Sequence, residues 1–434
     1  MPQEVIQISL RNPLIKILTL LLLLGAGVWS YFAVRWYIGN TLAEYFNPAE
    51  GGLIDANRAT SLAPSDPMTH WRMAQVAQKN LPLDQQAQAV AEYEKAVSLS
   101  PYDYRYWMTL GTAHEQAGDP VKAEQALKRA VALAPAYAYP HWFLGNLYIR
   151  NARYDEAFAE LRLAAAADQN FQGQLFNLIW EVHSDDLEAA KKAAGSDSAT
   201  RANFALYLVG RSLFDQGLRV WNGMSSEEKK AAAATAGQII FTLNSAHRFH
   251  DSLQVWNDIS AERYHGKIAQ IFDGGFEEPV EYGRNGMFGW QVSSHPEIQI
   301  GIDPGRRHEG ARSLRLLFGV RNDFGGVIVK QLIPVEPRTQ YDVEYYIATE
   351  KLVTGGPPQV QILDAADETA LVSSPTAATD TNQWSRVSLS FKTGEKTEAI
   401  LVNVMRVSCG TKEAAVCPIF GSVWYDDFTI KRRN

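Results

Sequence analysis

Cysteine is almost absent from this 434-residue sequence, which contains only Cys409 and Cys417. Two alternatives stay open for this pair. In the first, both residues are free, partly buried thiols. In the second, they form a local disulfide, which requires that the chain is exported to an oxidising compartment. The spacing suits a bridge within a hairpin or a tight loop. Such a bridge would stabilise the fold by about 2–3 kcal/mol.

The sequence also lacks the short motifs that carry common enzymatic chemistry. It has no Gly-x-Ser-x-Gly, no His-Glu-x-x-His, no phosphate-binding loop and no Gly-x-Gly-x-x-Gly after a strand. Its nine histidines are scattered. His247 and His250 lie three residues apart on a predicted helix, where we interpret them as ordinary polar positions. We therefore predict a protein that has no catalytic residues and binds no organic cofactor.

Positive charge is not concentrated in any part of the chain. The chain contains 41 Lys and Arg residues and 48 Asp and Glu residues, which gives a net charge of −7. No block of basic residues is interleaved with aromatic residues. This argues against nucleic acid as a partner. A hydrophobic content of 46% and a charged content of 21% are typical of folded protein. The length suggests about two or three domains.

One long hydrophobic run stands near the amino terminus, from Ile17 to Val34. Its length suits a helix that crosses a bilayer, and aromatic residues cluster at its far end, as in an interfacial belt. We predict an uncleaved transmembrane anchor over residues 14–38; a cleaved signal peptide is the alternative. Arg11 and Lys16 precede the run and Arg35 follows it. This bias favours a cytoplasmic segment, residues 1–13, with the bulk of the chain outside the cytoplasm.

The stretch from Tyr104 to Pro135 consists of two short amphipathic segments separated by the turn Gly118-Asp119-Pro120. It resembles a tetratricopeptide repeat, whose signature of Trp, Leu-Gly, an aromatic, two alanines and Pro spans about 34 residues. His114 stands where the family has an aromatic residue. The matching residues are Trp107, Leu110, Gly111, Ala123, Leu127, Ala130 and Pro135.

The same pattern recurs on both sides of this unit. Pro64, Pro101 and Pro135 close successive units at intervals near the repeat length. We predict a linker over residues 39–52, followed by a half-repeat and three repeats over residues 53–170. A second self-similarity, around Trp221 and Trp256, puts aromatic and aliphatic residues on one helical stripe. It predicts degenerate helical hairpins that continue the solenoid over residues 171–266.

The tetratricopeptide resemblance implies a concave groove that is lined by the first helix of each repeat and holds a protein partner. Basic and aromatic side chains in such a groove favour an acidic or extended peptide. For each residue, a solvated helix face is the alternative. The groove candidates are Arg72, Lys79, Arg105, Trp142, Asn146 and Arg150, with Val76, Met108, Thr112 and Tyr139 at neighbouring positions.

Residues 267–434 show short alternating runs separated by Gly, Pro, Asn and Asp. Eight or more such runs predict an all-β sandwich. Alternation within one run places Tyr346 on the face opposite Tyr345. The predicted strands are 298–302, 314–320, 327–333, 341–347, 359–363, 387–391, 399–407 and 423–430. The order of the motifs resembles the jelly-roll carbohydrate-binding modules that accompany xylanases and cellulases, with Asp273 and Arg338 as departures from the usual Asn and Gly. The motif positions are 273–277, Gly289-Trp290, 310–314, Gln331, Pro337 with Tyr341, Trp384, and 423–427.

This second resemblance implies that aromatic rings stack on sugar faces while polar side chains bind hydroxyl groups. Core packing is the alternative for any single ring. The family also implies a structural calcium ion, held here by Glu277 and Asp427, because oxygen ligands suit calcium; otherwise these acids are solvated surface. The candidate glycan platforms are Tyr282, Phe288, Trp290, Phe324 and Tyr346, with Trp384 as a further ring.

Together these features predict a multidomain, single-pass protein of the bacterial inner membrane, with its bulk in the periplasm. It would bind a protein through its helical repeats and a glycan through its jelly roll, in assembly or export of a surface polysaccharide. Two alternatives stay open. One is a purely structural protein–protein scaffold whose jelly roll binds no sugar. The other is an accessory subunit that positions an enzyme.

Overall fold

The computed structural model describes residues 13–45, 52–80, 86–278, 288–293, 295–319, 325–406 and 418–433. The chain divides into two compact units, Met1–Gly195 and Ser196–Asn434. The first unit is helical, and the second contains further helices and a two-sheet β-sandwich. The predicted fold class is confirmed: an apolar amino-terminal helix, an all-α repeat region and an all-β carboxy-terminal sandwich.

The described part of the first unit forms ten α-helices. The first helix is long and apolar enough to cross a bilayer, a property that it shares with signal sequences. It extends seven residues into the segment predicted as a linker, because its helical hydrogen bonds continue past the apolar run. The helices are α1 Pro13–Tyr45, α2 Leu53–Leu62, α3 Pro67–Asn80, α4 Gln86–Leu99, α5 Tyr104–Gln116, α6 Pro120–Leu133, α7 Ala138–Arg150, α8 Tyr154–Ala167, α9 Gln172–His183 and α10 Leu187–Ala194.

Glycine sets the distance between the two helices of a repeat. A Cβ atom on Gly111 of α5 would lie 2.6 Å from Cγ of Leu127 on α6. A Cβ atom on Gly145 of α7 would lie 2.6 Å from Cγ of Leu161 on α8. Side chains do not approach this closely, so each crossing requires a residue without a side chain. Because the spacing recurs in the sequence, the packing recurs in the stack.

A ring nitrogen closes the turn that precedes the first helix of three successive repeats. The pairs are His70 with the carbonyl oxygen of Pro64, Trp107 with that of Pro101, and His141 with that of Pro135, at 2.9, 2.9 and 3.0 Å. Nδ1 of His70 also lies 2.6 Å from Oε2 of Glu92. This hydrogen bond to a carboxylate raises the pKa of His70. When His70 is protonated, its two ring N–H groups donate to both acceptors and link α3 to α4 and to the preceding turn.

Five helices open the second unit: α11 Ser198–Gly210, α12 Phe214–Asn222, α13 Ser226–Ala231, α14 Ala233–Ser245 and α15 Phe249–Ile259. The stripe of apolar residues on α12 packs inward, and Trp221 is fully buried. Helix α15 contacts the sandwich, because Nε2 of His250 lies 2.9 Å from the carbonyl oxygen of Val335. The ring of Trp256 also packs against Phe288. These helices and the sandwich therefore share one compact unit.

The sandwich consists of two five-stranded antiparallel sheets. The first sheet has the order β1-β4-β9-β6-β7, and the second has the order β2-β3-β10-β5-β8. Apolar side chains of both sheets alternate inward and form one core. The strands are β1 Gln291–Val292, β2 Gln299–Asp303, β3 Ser313–Phe318, β4 Gly326–Pro334, β5 Gln340–Thr354, β6 Pro358–Asp364, β7 Ala370–Ser373, β8 Asp380–Lys392, β9 Ala399–Arg406 and β10 Ile419–Arg432.

Candidate functional site

The first candidate site is a groove between the repeat helices α5 and α7. A cavity of about 520 Å³ lies there, lined by two aromatic rings and several polar side chains. It brings together three of the six predicted groove residues: Trp142, Asn146 and Arg150. Thr112, named as a neighbouring position, also lines it. The remaining lining residues are Glu115, Gln116 and Phe143.

An ion pair crosses this groove. Nε and Nη2 of Arg150 donate to the two carboxylate oxygens of Glu115 at 2.5 and 2.7 Å. Arg150 is one of the predicted groove residues, whereas its partner Glu115 was not predicted and lies 35 residues earlier, on the preceding repeat. The pair leaves the groove close to electroneutral and gives it both a donor and an acceptor. With the Trp142 ring beside it, the groove suits an extended polypeptide.

The other predicted groove cations lie outside this cavity. Arg72 donates from Nε to the carbonyl oxygen of Ala43 on α1. Arg105 forms a two-pronged ion pair with Asp103, which lowers the pKa of that carboxyl. Lys79 is exposed. None of these three side chains lines the cavity described above.

The second candidate site is the outer face of the first sheet of the sandwich. The register pairs Gln291 with Lys330, Lys330 with Asn403, Asn403 with Gln361, and Gln361 with Ser373. Paired residues of antiparallel strands share a face, so these five side chains form one line across all five strands. We call this line the polar row. Neighbouring apolar side chains border it.

Asn403 stands at the centre of the polar row and is 3% exposed. Its Oδ1 atom has no hydrogen-bond partner among the described residues. A buried acceptor without a donor costs free energy, which a ligand hydroxyl or a water molecule would recover. Beside it, Nε2 of Gln361 donates to Oγ of Ser373 at 3.2 Å. The row therefore offers amide, hydroxyl and ammonium groups to a ligand rich in hydroxyls.

Two of the predicted aromatic platforms are core side chains. Trp290 is 1% exposed, packs against Phe276 and Phe428, and donates from Nε1 to the carbonyl oxygen of Asp273. Phe288 is also buried. The prediction that these rings face a sugar is therefore corrected, because the core and helix α15 cover them. Tyr282, Phe324, Cys409 and Cys417 lie outside the described residues.

Tyr346 lies on the outer face of the second sheet, as predicted from strand alternation, but its ring is covered. The imidazole of His308 stacks on it with ring centroids 3.5 Å apart. Trp384 contacts the same imidazole edge-on. Trp424 on this face carries the guanidinium of Arg306 at 4.4 Å. Two side chains of the loop between β2 and β3 thus take the stacking positions on this sheet.

The residues predicted to hold calcium already have partners in the chain. Oε1 of Glu277 accepts from the backbone nitrogens of Ala311 and Arg312. Oδ2 of Asp427 lies 2.6 Å from Nδ1 of His308. Among the described residues, no group of three or more His, Cys, Asp or Glu side chains is arranged to hold a metal ion. This donor set fits a calcium ion poorly, and calcium binding there stays a prediction.

A buried acid lies next to this pair. Asp426 is fully buried and accepts from the backbone nitrogen of His308 at 2.8 Å. Burial raises the pKa of its carboxyl to about 6. Asp426 was not singled out in the sequence, although it lies within the closing motif of the sandwich. Its contacts tie the loop between β2 and β3 to the last strand.

Two family models match the chain. Residues 269–406 match the carbohydrate binding domain family, and residues 114–179 match the tetratricopeptide repeat family. Both lie where the resemblances place them, within the sandwich and within the helical region. No curated protein matches this sequence.

Solved structures with similar parts include proteins of both kinds. MamA from Desulfovibrio magneticus RS-1, residues 41 to the end, is 19% identical with a TM-score of 0.31, over 38% of this chain and 90% of that chain. A structure described as "CBM4 structure and function" is 13% identical with a TM-score of 0.28, over 38% of this chain and 99% of that one. The Arabidopsis OM64 TPR domain is 21% identical with a TM-score of 0.22, over 24% and 84%. By the two family matches, the chain combines a region of tetratricopeptide repeats with a β-sandwich that matches the carbohydrate binding domain family.

Proposed function

We propose that this protein is a membrane-anchored binding protein of the bacterial envelope with no catalytic activity of its own. Helix α1 crosses the inner membrane, the repeat groove holds a protein partner, and the sandwich binds a glycan. Both matched families are non-catalytic, which supports the absence of an enzymatic role. A place in surface polysaccharide assembly or export accounts for an anchor, a docking groove and a sugar-type domain in one chain.

The polar row carries the glycan part of this proposal. Its central acceptor, Oδ1 of Asn403, is buried without a partner among the described residues, and flexible polar side chains of Lys330 and Gln361 lie on either side. Sugar hydroxyls supply the donors that this acceptor needs, and they accept from the lysine ammonium. The face is sheet-wide, so it suits a chain of sugars better than a single ring.

A glycan array probed with the full chain in detergent micelles tests this part. Lys330→Ala combined with Gln361→Ala is expected to lower glycan binding by at least an order of magnitude, since each removes about 1–3 kcal/mol of hydrogen bonding. The matched control is Lys392→Ala combined with Gln383→Ala, on an edge strand of the second sheet. Equal binding by both variants, or no binding by the parent chain, would overturn the glycan role and leave the scaffold alternative.

The groove carries the protein part of the proposal. An exposed ion pair beside an aromatic ring can anchor a polypeptide through its backbone and one side chain. Trp142→Ala is expected to abolish capture of the native partner from membrane extracts, because aromatic anchors dominate such contacts. The control is Tyr154→Ala, a partly exposed ring outside the cavity. Capture that survives Trp142→Ala would exclude this groove.

Topology is testable separately. A reporter that is active only in the periplasm, fused after Asn434, is expected to be active if α1 crosses the membrane with residues 1–13 in the cytoplasm. An inactive periplasmic reporter together with an active cytoplasmic one would overturn the proposed orientation.

A further inference from the structure

The end of α1 packs tightly on the next two helices. Nη2 of Arg35 donates to the carbonyl oxygen of Ser61 at 3.0 Å, at the end of α2. Nδ2 of Asn40 donates to Oδ2 of Asp66 at 2.7 Å, in the turn between α2 and α3. Arg72 of α3 donates to the carbonyl oxygen near the end of α1 at 3.0 Å. The apolar helix therefore continues directly into the helical stack.

Gly39 fixes this junction sterically. A Cβ atom there would lie 2.8 Å from Cβ of Ala63 and 2.9 Å from the carbonyl oxygen of Ala59. This is the same kind of contact that Gly111 and Gly145 make inside the repeats. Helices in such contact have no freedom to pivot without losing packing. The direction of α1 therefore sets the direction of the stack.

The helices alternate in direction, so alternate turns lie at opposite edges of the stack. We define up as the direction in which α1 runs from its apolar segment towards Tyr45. Helix α2 runs back down, so the turn at Asp66, between α2 and α3, lies at the lower edge of the stack, beside Asn40. The turns between α4 and α5 and between α6 and α7 share that edge. Arg35 directly follows the apolar run that ends at Val34, so we take it as the edge of the hydrocarbon. Asn40 lies about 7.5 Å beyond Arg35 along the helix axis. The lower edge therefore begins about one headgroup layer above the hydrocarbon, since that layer is about 5–7 Å thick.

Tyrosines mark this lower edge. Tyr102 is 81% exposed, and Tyr137 and Tyr139 are 58% and 57% exposed. The ring of Tyr104 lies 5.4 Å from that of Tyr137, which links two successive turns. The turns of the opposite edge read Gln116-Ala-Gly-Asp-Pro and Arg150-Asn-Ala-Arg, and a single less exposed tyrosine, Tyr154, follows the second of them at 39% exposure. Tyrosine is the residue that membrane interfaces favour, since its ring is apolar and its hydroxyl is polar.

We propose that this lower edge, here named the tyrosine edge, lies in the lipid headgroup layer of the same bilayer that α1 crosses. Tyr102, Tyr137 and Tyr139 anchor it there, and the repeats extend along the membrane surface. The inference rests on the proposed membrane anchoring. Arg105 at this edge is paired with Asp103 and is not available for an anionic headgroup, so the proposed contact is interfacial and does not need anionic lipid.

Spin labels on the full chain in phosphatidylcholine vesicles test the proposal. Single cysteines replace Ala136 at the tyrosine edge, Val121 at the opposite edge and Gly25 within α1, in a Cys409→Ser, Cys417→Ser background. Ala136 and Val121 are exposed, and a side chain added at Gly25 would meet no described atom within 4 Å of its Cβ. The measurement is the ratio of collision rates with oxygen and with a water-soluble nickel chelate. We expect this ratio to be several-fold higher at position 136 than at 121, and highest at 25.

A second arm tests the tyrosines themselves. Tyr102→Ser, Tyr137→Ser and Tyr139→Ser together are expected to lower the ratio at position 136 towards the aqueous value, because the edge then lacks the rings that anchor it among the headgroups. Tyr154→Ser, at the opposite edge, is expected to leave it unchanged. Retention of the high ratio in the triple variant would overturn the role of these rings.

The three labels separate the possible failures. Equal aqueous ratios at 136 and 121, with a high ratio at 25, would overturn the tyrosine edge and leave the anchor standing. A label at 136 that is shielded from both oxygen and nickel would indicate a protein contact and also overturn the lipid proposal. An aqueous ratio at 25 would overturn the anchor and the tyrosine edge together.

Discussion

The repeat region and the sandwich build their candidate sites in opposite ways. In the repeats, each helix pair is set by a contact at a short, fixed offset, such as Gly111 with Leu127 and Gly145 with Leu161. In the sandwich, the polar row collects side chains from five strands between Gln291 and Asn403. The spacing of residues along the sequence therefore predicts the contacts within the repeats, whereas the polar row follows only from the register of the strands.

A second difference lies within the sandwich. The outer face of the second sheet has its aromatic rings covered by Arg306 and His308 of the same chain. The outer face of the first sheet has a buried acceptor, Oδ1 of Asn403, without a partner in the part of the chain that the structure describes. Nε of Arg315, on the outer face of the second sheet, also lacks a hydrogen-bond partner among the described residues. The two faces therefore differ in the loop side chains that stack on the second sheet and in the polar row that crosses the first, and not in hydrogen-bond satisfaction.

The largest expected effect is that of a substitution in the core of the sandwich, which should destabilise the sandwich and leave the repeats unchanged. Trp290→Ala removes a buried ring and the hydrogen bond to Asp273, so it is expected to destabilise the sandwich by about 3–5 kcal/mol. Hydrogen exchange should rise in the strands of Ser196–Asn434 and stay unchanged in α3–α8. Exchange that rises equally in both regions would show that they do not unfold separately.

A smaller effect is expected at the close helix crossings. Gly111→Ala and Gly145→Ala each force a Cβ against a leucine at 2.6 Å, so we expect a loss of about 1–3 kcal/mol, measured by denaturant unfolding. The control is Gly237→Ala in α14, where nothing lies within 4 Å. This variant should be stabilised by about 0.5–1 kcal/mol through helix propensity. If all three variants behaved alike, the crossings would not depend on glycine.

The pH dependence of the repeats gives a third comparison. The carboxylate of Glu92 raises the pKa of His70, so the folded state binds this proton more tightly than the unfolded state. The stabilisation of the folded state by the protonated His70 is fully present below the ordinary pKa of about 6.5, and it is lost as pH rises through the raised pKa. Glu92→Gln is expected to lower stability near pH 6 by about 1–2 kcal/mol and to flatten this dependence.

Hydrogen exchange in α3 and α4 between pH 6 and pH 9 checks this prediction, with intrinsic rates corrected for pH. The sandwich serves as the internal control, since the raised pKa of Asp426 of about 6 affects it mainly below this range. An unchanged pH profile in Glu92→Gln would show that His70 is neutral in the folded repeats.

The smallest effect is expected in the groove. Arg150→Ala removes an ion pair whose arginine side chain is about half exposed, so stability should change by about 0.2–1 kcal/mol. Partner capture should fall much more than stability does, if the groove is a binding site. A stability loss above 2 kcal/mol, measured by thermal unfolding, would instead mark the pair as structural.

Much of the fold was readable from sequence for a physical reason. The repeats use contacts between residues close in the chain, so the Leu-Gly, Ala and Pro positions predict helices α5 to α8. Strand alternation also located β5 and β8, where Tyr341 and Leu389 face the core. The short strands β1 and β7 were missed, because two to four residues carry too little alternation to stand out.

The sites were harder to predict than the elements. Trp142, Asn146 and Arg150 were placed in the groove, but Glu115 was missed because its role depends on a neighbouring repeat. The polar row was missed entirely. Its signal exists as single polar residues, such as Lys330 and Asn403, inside apolar strands. A single sequence does not show which of these align across a sheet.

The sequence by itself determined the helical repeats, the β-sandwich and the apolar first helix, because each follows from local periodicity and composition. Tertiary structure alone decided which side chains meet. It buried Trp290, stacked His308 on Tyr346, left Oδ1 of Asn403 without a partner among the residues that the structure describes, and packed α1 closely against the stack through Gly39. These outcomes depend on register and helix packing between distant segments, and local pattern carries no information about either.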